Sequence, residues 1–96
     1  MKSLNEIKDI LQKQKHKLLS SYPIKSMAIF GSYSREDQNE NSDLDILVEF
    51  DGKIGVRFID LADELEKAVG FKVDLVSKNG IKPKYLNAIK QELKYV

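Results

Sequence analysis

Three carboxylates carry the strongest chemical signal in this chain. Asp43 and Asp45 stand at the mouth of the apolar run LDILVEF, residues 44–50, and Asp74 lies within KVDLV, residues 72–76. Aspartate is a poor strand former, so two of them entering a strand need a reason. Side chains two apart on a strand share a face and lie about 7 Å apart along it, so Asp43 and Asp45 point the same way. In the second run, Val73 and Leu75 share one face and leave Lys72, Asp74 and Val76 on the other. If the two strands are neighbours, Asp74 stands beside the Asp43/Asp45 pair. Three such carboxylates repel and raise one another's pKa unless a cation sits among them. Hard oxygen ligands of this kind suit Mg²⁺ or Mn²⁺, and a pair of ions about 4 Å apart serves in-line phosphoryl displacement. Asp43, Asp45 and Asp74 are therefore the candidate metal ligands and catalytic residues. Singly, each has an ordinary explanation: an aspartate at a strand start caps a turn or faces water, and Asp74 two residues from Lys72 suits an exposed edge. Their matched register is what points to a site.

Upstream lies GSYSREDQNENSDLD, residues 31–45, a polar crossing between two hydrophobic runs. Gly31 at a strand end lets the backbone turn or approach a ligand closely. Ser32 offers a hydroxyl, and a helical turn beginning there presents free N–H groups to an anion. Arg35 could return its fork of donors to the same anion. No Gly-Lys-Ser/Thr follows the strand, so this is not a P-loop. Alone, Gly-Ser reads as an ordinary strand exit; the aspartates that follow give it weight.

The elements that must position these groups follow from patterning. Ser3 and Glu6 form a capping box ahead of a helix carrying Leu4, Ile7, Ile10, Leu11, Leu18 and Leu19, ended by Ser20-Ser21-Tyr22-Pro23. Residues 26–30 predict a first strand and 44–50 a second, with Leu44, Ile46, Val48 and Phe50 on one face and Asp45, Leu47 and Glu49 on the other. A helix over 56–69 buries Ile59, Ala62, Leu65 and Val69, leaves Phe58 off the stripe as a candidate partner surface, and ends at Gly70. Residues 71–77 predict a third strand, and Pro83 opens a last helix through Leu86, Ile89 and Leu93. The expected fold is α/β (α+β): a mixed sheet of about three strands in the order α-β-β-α-β-α. The first two strands pair antiparallel, because the polar link is too short for a helical crossover, and the third runs parallel to the second.

Composition narrows the function. At 96 residues the chain predicts one domain, 1–96, with 42% hydrophobic and 32% charged residues. Sixteen Lys and Arg against fifteen Asp and Glu leave a net charge of +1, which argues against dedicated nucleic-acid binding. There is no cysteine and a single histidine, His16, in a lysine-rich helix face, so thiol chemistry and histidine metal clusters are excluded. No run approaches the length of a membrane span and no signal-peptide pattern opens the chain, which reads as soluble and cytoplasmic.

Gly31-Ser32, ten residues, then Asp43-x-Asp45 resembles the signature of the DNA polymerase beta-like nucleotidyltransferase superfamily. With Asp74 in KVDLV after a helix, the chain from Met27 to Leu93 is similar to the minimal nucleotidyltransferase (MNT) family. The resemblance implies that Gly31 and Ser32 hold the nucleotide phosphates with help from Arg35. It implies that Asp43 and Asp45 bind Mg²⁺ ions bridging to ATP, and that Asp74 ligates the catalytic metal and helps deprotonate the incoming hydroxyl. It further implies a HEPN-type toxin as partner, with AMP transferred from ATP to a toxin tyrosine and the chain acting as antitoxin. An idle site that neutralises its partner by occlusion, or a stand-alone nucleotidyltransferase acting on a small molecule, are the alternatives. The family often carries Ala and Gly around the Arg, where this chain has Ser34 and Glu36.

Overall fold

The computed structural model describes residues 1–96. Helix α1 (Leu4–Ser21) starts at the expected capping box: Glu6 N–H donates to Ser3 Oγ and Ser3 N–H to Glu6 Oε1, both at 3.1 Å. Two first-turn donors that would otherwise lack partners are thereby satisfied. Strand β1 (Ile24–Phe30) leads into a single helical turn, α2 (Ser32–Arg35), and the polar loop returns as β2 (Leu44–Phe50). Helix α3 (Arg57–Val69) ends on Gly70 at φ 89°, where a side chain would be strained, and β3 (Val73–Ser77) follows. The chain closes with α4 (Pro83–Ile89), a 3₁₀ turn (Lys90–Glu92) and a two-residue strand β4 (Lys94–Tyr95).

The sheet runs β3-β2-β1-β4, with β1 antiparallel to β2 and β4, and β2 parallel to β3. Alternation along β2 divides the molecule into layers. Leu44, Ile46, Val48 and Phe50 join Ile7, Leu11, Leu61 and Leu65 in the main core beneath α1 and α3. Leu47 points to the opposite face, where it meets Phe30 and Ile89, flanked by Leu86 and Leu93. Each fully buried Leu or Ile contributes about 1.5–3 kcal/mol, so the α1/α3 layer dominates stability and the α4 layer is a thin cover.

Three expectations are corrected. First, the sheet has four strands, because the last helix stops at Ile89 and the chain re-enters the sheet beside β1. Leu93 fits the helical period and still packs in the cluster under α4, so periodicity could not separate the two outcomes. Second, α3 is rotated from its expected face. Leu61, larger than Ala62, takes the deep position. That brings Phe58 inward, edge-on to Phe50 at 6.2 Å, and leaves Ile59 66% exposed. Third, β1 begins at Ile24 and β3 at Val73, each a short shift of boundary.

Glu36 ends α2 with φ 62°, the one non-glycine residue at positive φ. A side chain costs about 1–2 kcal/mol there, part of which glycine returns as unfolded-chain entropy. Glu36 is exposed, and its side chain makes no ion pair or hydrogen bond. Glu36→Gly is therefore expected to raise the melting temperature by about 2–5 °C, measured by calorimetry. A lower melting temperature would show that the left-handed turn is not a strain on this chain.

Candidate active site

The in-register pairing of β2 with β3 sets Asp45 directly beside Asp74, flanked by the apolar pairs Leu44/Val73 and Ile46/Leu75. Antiparallel pairing sets Phe30, the last residue of β1, opposite Asp45, so the chain leaves β1 at Gly31 next to that carboxylate. The Asp45 carboxyl, partly buried, is pushed up to about 6. Burial is the largest cause, followed by the charges of Asp74 and Asp43 and a hydrogen bond with Asp74, while Arg35 pulls the other way. Asp43, just ahead of β2, turns one oxygen toward Lys72 Nζ at 3.8 Å. The structure thus brings Asp45 and Asp74 into contact and keeps Asp43 within their field, but does not gather all three as a ready ligand set.

A divalent cation fits this donor set. The oxygens are hard ligands, and the conflict that raises the Asp45 pKa is the one a cation would relieve. Asp45 and Asp74 would hold it, with Asp43 joining on release from Lys72.

Gly31 sits at φ 75°, and a Cβ built on it would overlap Asp45 Oδ2. Only glycine lets the turn and the carboxylate occupy the same place. The Gly31 N–H is already engaged, donating to Glu92 Oε1 at 2.9 Å. Ser32, half-buried, keeps its hydroxyl free of partners within the chain. Arg35 donates through Nε to Asp37 Oδ2 and through Nη1 to Glu92 Oε2, both at 3.1 Å, and these carboxylates hold its pKa above the ordinary value. The turn is clamped from below by Tyr33, buried and stacked on Phe71 with ring centroids 5.4 Å apart. An open cleft of about 530 Å³ lies beside Asp43, with Lys2, Lys72, Tyr33 and Phe71 in its wall.

Glu92, Lys72 and the Tyr33–Phe71 stack were not among the residues singled out from the sequence. Lys72 is the first residue of KVDLV, and its charge is opposite to that of Asp43. Glu92 meets Arg35 across 57 residues, and nothing local announces it.

A nucleotidyltransferase fold with paired acidic residues beside a Gly-Ser turn is the class this geometry defines. The sequence matches the nucleotidyltransferase domain family over residues 5–96. The chain belongs to that family, and within it to the minimal nucleotidyltransferases. A candidate protein adenylyltransferase of Methanocaldococcus jannaschii is 50% identical over 98 residues, with both chains covered fully. The protein adenylyltransferase MntA of Thermococcus cleftensis is 37% identical over 97 residues, covering 100% of this chain and 98% of its own. Among solved structures, a toxin–antitoxin crystal structure with AMP-PNP superposes with a TM-score of 0.73 at 28% identity, covering 88% of this chain and 70% of that one. No helix is long and apolar enough to cross a membrane.

The carboxylate conflict has a measurable sign. An acid whose folded pKa lies above its unfolded one gains stability on protonation, and that gain is lost as pH rises through about 6. With a chelator present, Asp45→Asn is expected to melt a few degrees above wild type at about pH 8, with the gap narrowing toward about pH 4.5. Calorimetry across that range checks it; a variant less stable at the higher pH would contradict the repulsion.

Proposed function

We propose that the chain transfers AMP from ATP to a tyrosine hydroxyl of a HEPN-type toxin and so acts as its antitoxin, in the cytoplasm, as a single catalytic domain spanning 1–96. The observation that carries this reading is the convergence of Gly31, Asp45 and Asp74 at one end of the sheet, with Arg35 within the field of Asp45. The adenylyltransferase relatives and the AMP-PNP complex support the donor and the partner class.

The residues divide the work. The free Ser32 hydroxyl and the Arg35 guanidinium bind phosphate oxygens; Nη2 of Arg35 is unpaired within the chain and can donate. Gly31 keeps that turn against Asp45, so the α-phosphate lies near the carboxylates. Mg²⁺ on Asp43, Asp45 and Asp74, with two ions as the expected complement, supplies charge neutralisation of the triphosphate. Asp74, the most exposed of the three, takes the proton of the incoming hydroxyl. The hydroxyl oxygen bonds to the α-phosphorus as the bond to the bridging oxygen breaks, and pyrophosphate leaves. The acceptor is presented by the partner, since the apolar faces of α1 and α3 are occupied in the core.

The test is incubation of the chain with ATP, Mg²⁺ and the protein encoded beside it, read by intact mass. Wild type is expected to add AMP to the partner. Asp43→Asn with Asp45→Asn should abolish the adduct, a loss of at least about 100-fold, while the two proteins still associate. Neutralisation that survives this double change would favour occlusion instead, and AMP appearing on unrelated hydroxyl compounds would favour a stand-alone enzyme.

A further inference from the structure

The C-terminal turn reaches into the Gly-Ser element by three contacts from one residue. Glu92 Oε1 accepts from Gly31 N–H at 2.9 Å and Glu92 Oε2 accepts from Arg35 Nη1 at 3.1 Å. Ser34 Oγ–H donates to the Glu92 carbonyl oxygen. Three residues of the motif, Gly31, Ser34 and Arg35, are therefore referenced to one glutamate that is itself mostly buried, with its side chain 21% exposed. Two residues later the chain enters β4, where Lys94 pairs with Ile29 and Tyr95 with Ala28, and Val96 N–H donates to the Met27 carbonyl at 3.0 Å. Glu92 is thus tied to the strand that delivers Gly31.

Resting on the nucleotidyltransferase reading above, we infer that Glu92 is a positioning residue for phosphate binding: it fixes the Gly31 turn and aims Arg35, leaving Nη2 and the Ser32 hydroxyl to the triphosphate. Two features argue for positioning over a carboxylate that merely occupies the phosphate site. The Glu92 backbone is anchored as well as its side chain, so the residue is not built to leave. Its two oxygens also address different partners, a backbone N–H and a guanidinium, which sets the distance between them. An arginine without this bridge retains Asp37 alone, an exposed neighbour two residues away that orients it poorly. A guanidinium with five donors in a fixed fork loses most of its value when its plane is free to turn.

The test uses the full chain and its Glu92→Ala and Glu92→Gln variants. AMP-PNP and inorganic tripolyphosphate, each with Mg²⁺, are titrated by calorimetry, with adenosine as a phosphate-free control. In parallel, amide exchange at Gly31 and the Arg35 Nε–H resonance are followed by NMR. Positioning predicts that Glu92→Ala weakens AMP-PNP and tripolyphosphate alike by about tenfold or more, leaves adenosine unchanged, speeds Gly31 exchange and broadens or shifts the Arg35 signal. Glu92→Gln keeps an oxygen for Gly31 N–H but no charge for Arg35. It is expected to protect Gly31, lose the Arg35 shift and fall between the other two in affinity, and it carries the test should the alanine variant not fold. Unchanged or tighter phosphate binding in either variant overturns the proposal, the tighter case marking Glu92 as a competitor of phosphate. Absence of nucleotide binding by wild type would overturn the enzymatic reading instead; the orienting contact then stands or falls on the Gly31 exchange and the Arg35 resonance.

Discussion

Asp45 and Asp74 face each other across a parallel strand pair, and much of the structure exists to keep them there. Like charges set side by side in a sheet are unfavourable, so the pairing must be imposed by something stronger. Here it is imposed by register. Sliding β3 by one residue would turn Val73 out of the core and break the apolar pairs on either side of the aspartates, Leu44 with Val73 and Ile46 with Leu75. Both Leu44 and Ile46 are fully buried under α1 and α3. The favourable burial on one face of β2 thereby holds an unfavourable contact on the other. A cation or a proton can relieve that contact, which is how a fold stores the readiness to bind a metal.

The same division explains what the sequence disclosed. The juxtaposition of Asp45 with Asp74 was legible because strand periodicity is strict and a helix between two strands sets parallel pairing, whereas the turn of Asp43 toward Lys72 was not. The capping box at Ser3 and the end of α3 at Gly70 were legible because each is a local demand on a single residue. The rotation of α3 was missed because Ile59, Ala62 and Leu65 step by threes, a run that drifts around the helix, whereas Phe58, Leu61 and Leu65 keep the three-, four- and seven-residue spacing of one face. The fourth strand was hidden for a related reason, as Leu93 satisfies a helical period and a buried extended position equally well. Long-range partners such as Glu92 leave no local pattern at all.

Gly31 shows why the motif must be read in three dimensions. Strand-end glycines invite an explanation from their N–H groups, held open to an anion. In this chain that N–H is consumed by Glu92, and the requirement for glycine comes from the missing side chain, whose place Asp45 occupies. The glycine that the family resemblance implies at the position of Glu36 would have a similar physical reason. That position takes a left-handed conformation at the end of α2, and the glutamate adopts it without any compensating contact. The substitution therefore bears on turn strain first, since the exposed carboxylate binds no group of the site.

The C-terminal segment joins stability to the site. A two-residue strand is too short to hold a sheet edge by its ladder alone, and β4 pairs with β1 through only Lys94 and Tyr95. What holds it is the set of contacts around it: the bonds of Glu92 to the Gly-Ser turn, Leu93 in the cluster under α4, and Val96 in the main core. Each of these is weak without the others, so fraying of the last residues releases Glu92, and release of Glu92 loosens β4. The edge of the sheet and the Gly-Ser turn are then one cooperative unit. In a domain whose layer on that face is thin, such a unit is the part most able to open locally without global unfolding. Its order sets how Arg35 is held, which couples the last five residues of the chain to the Gly-Ser turn even though none of them lies within it.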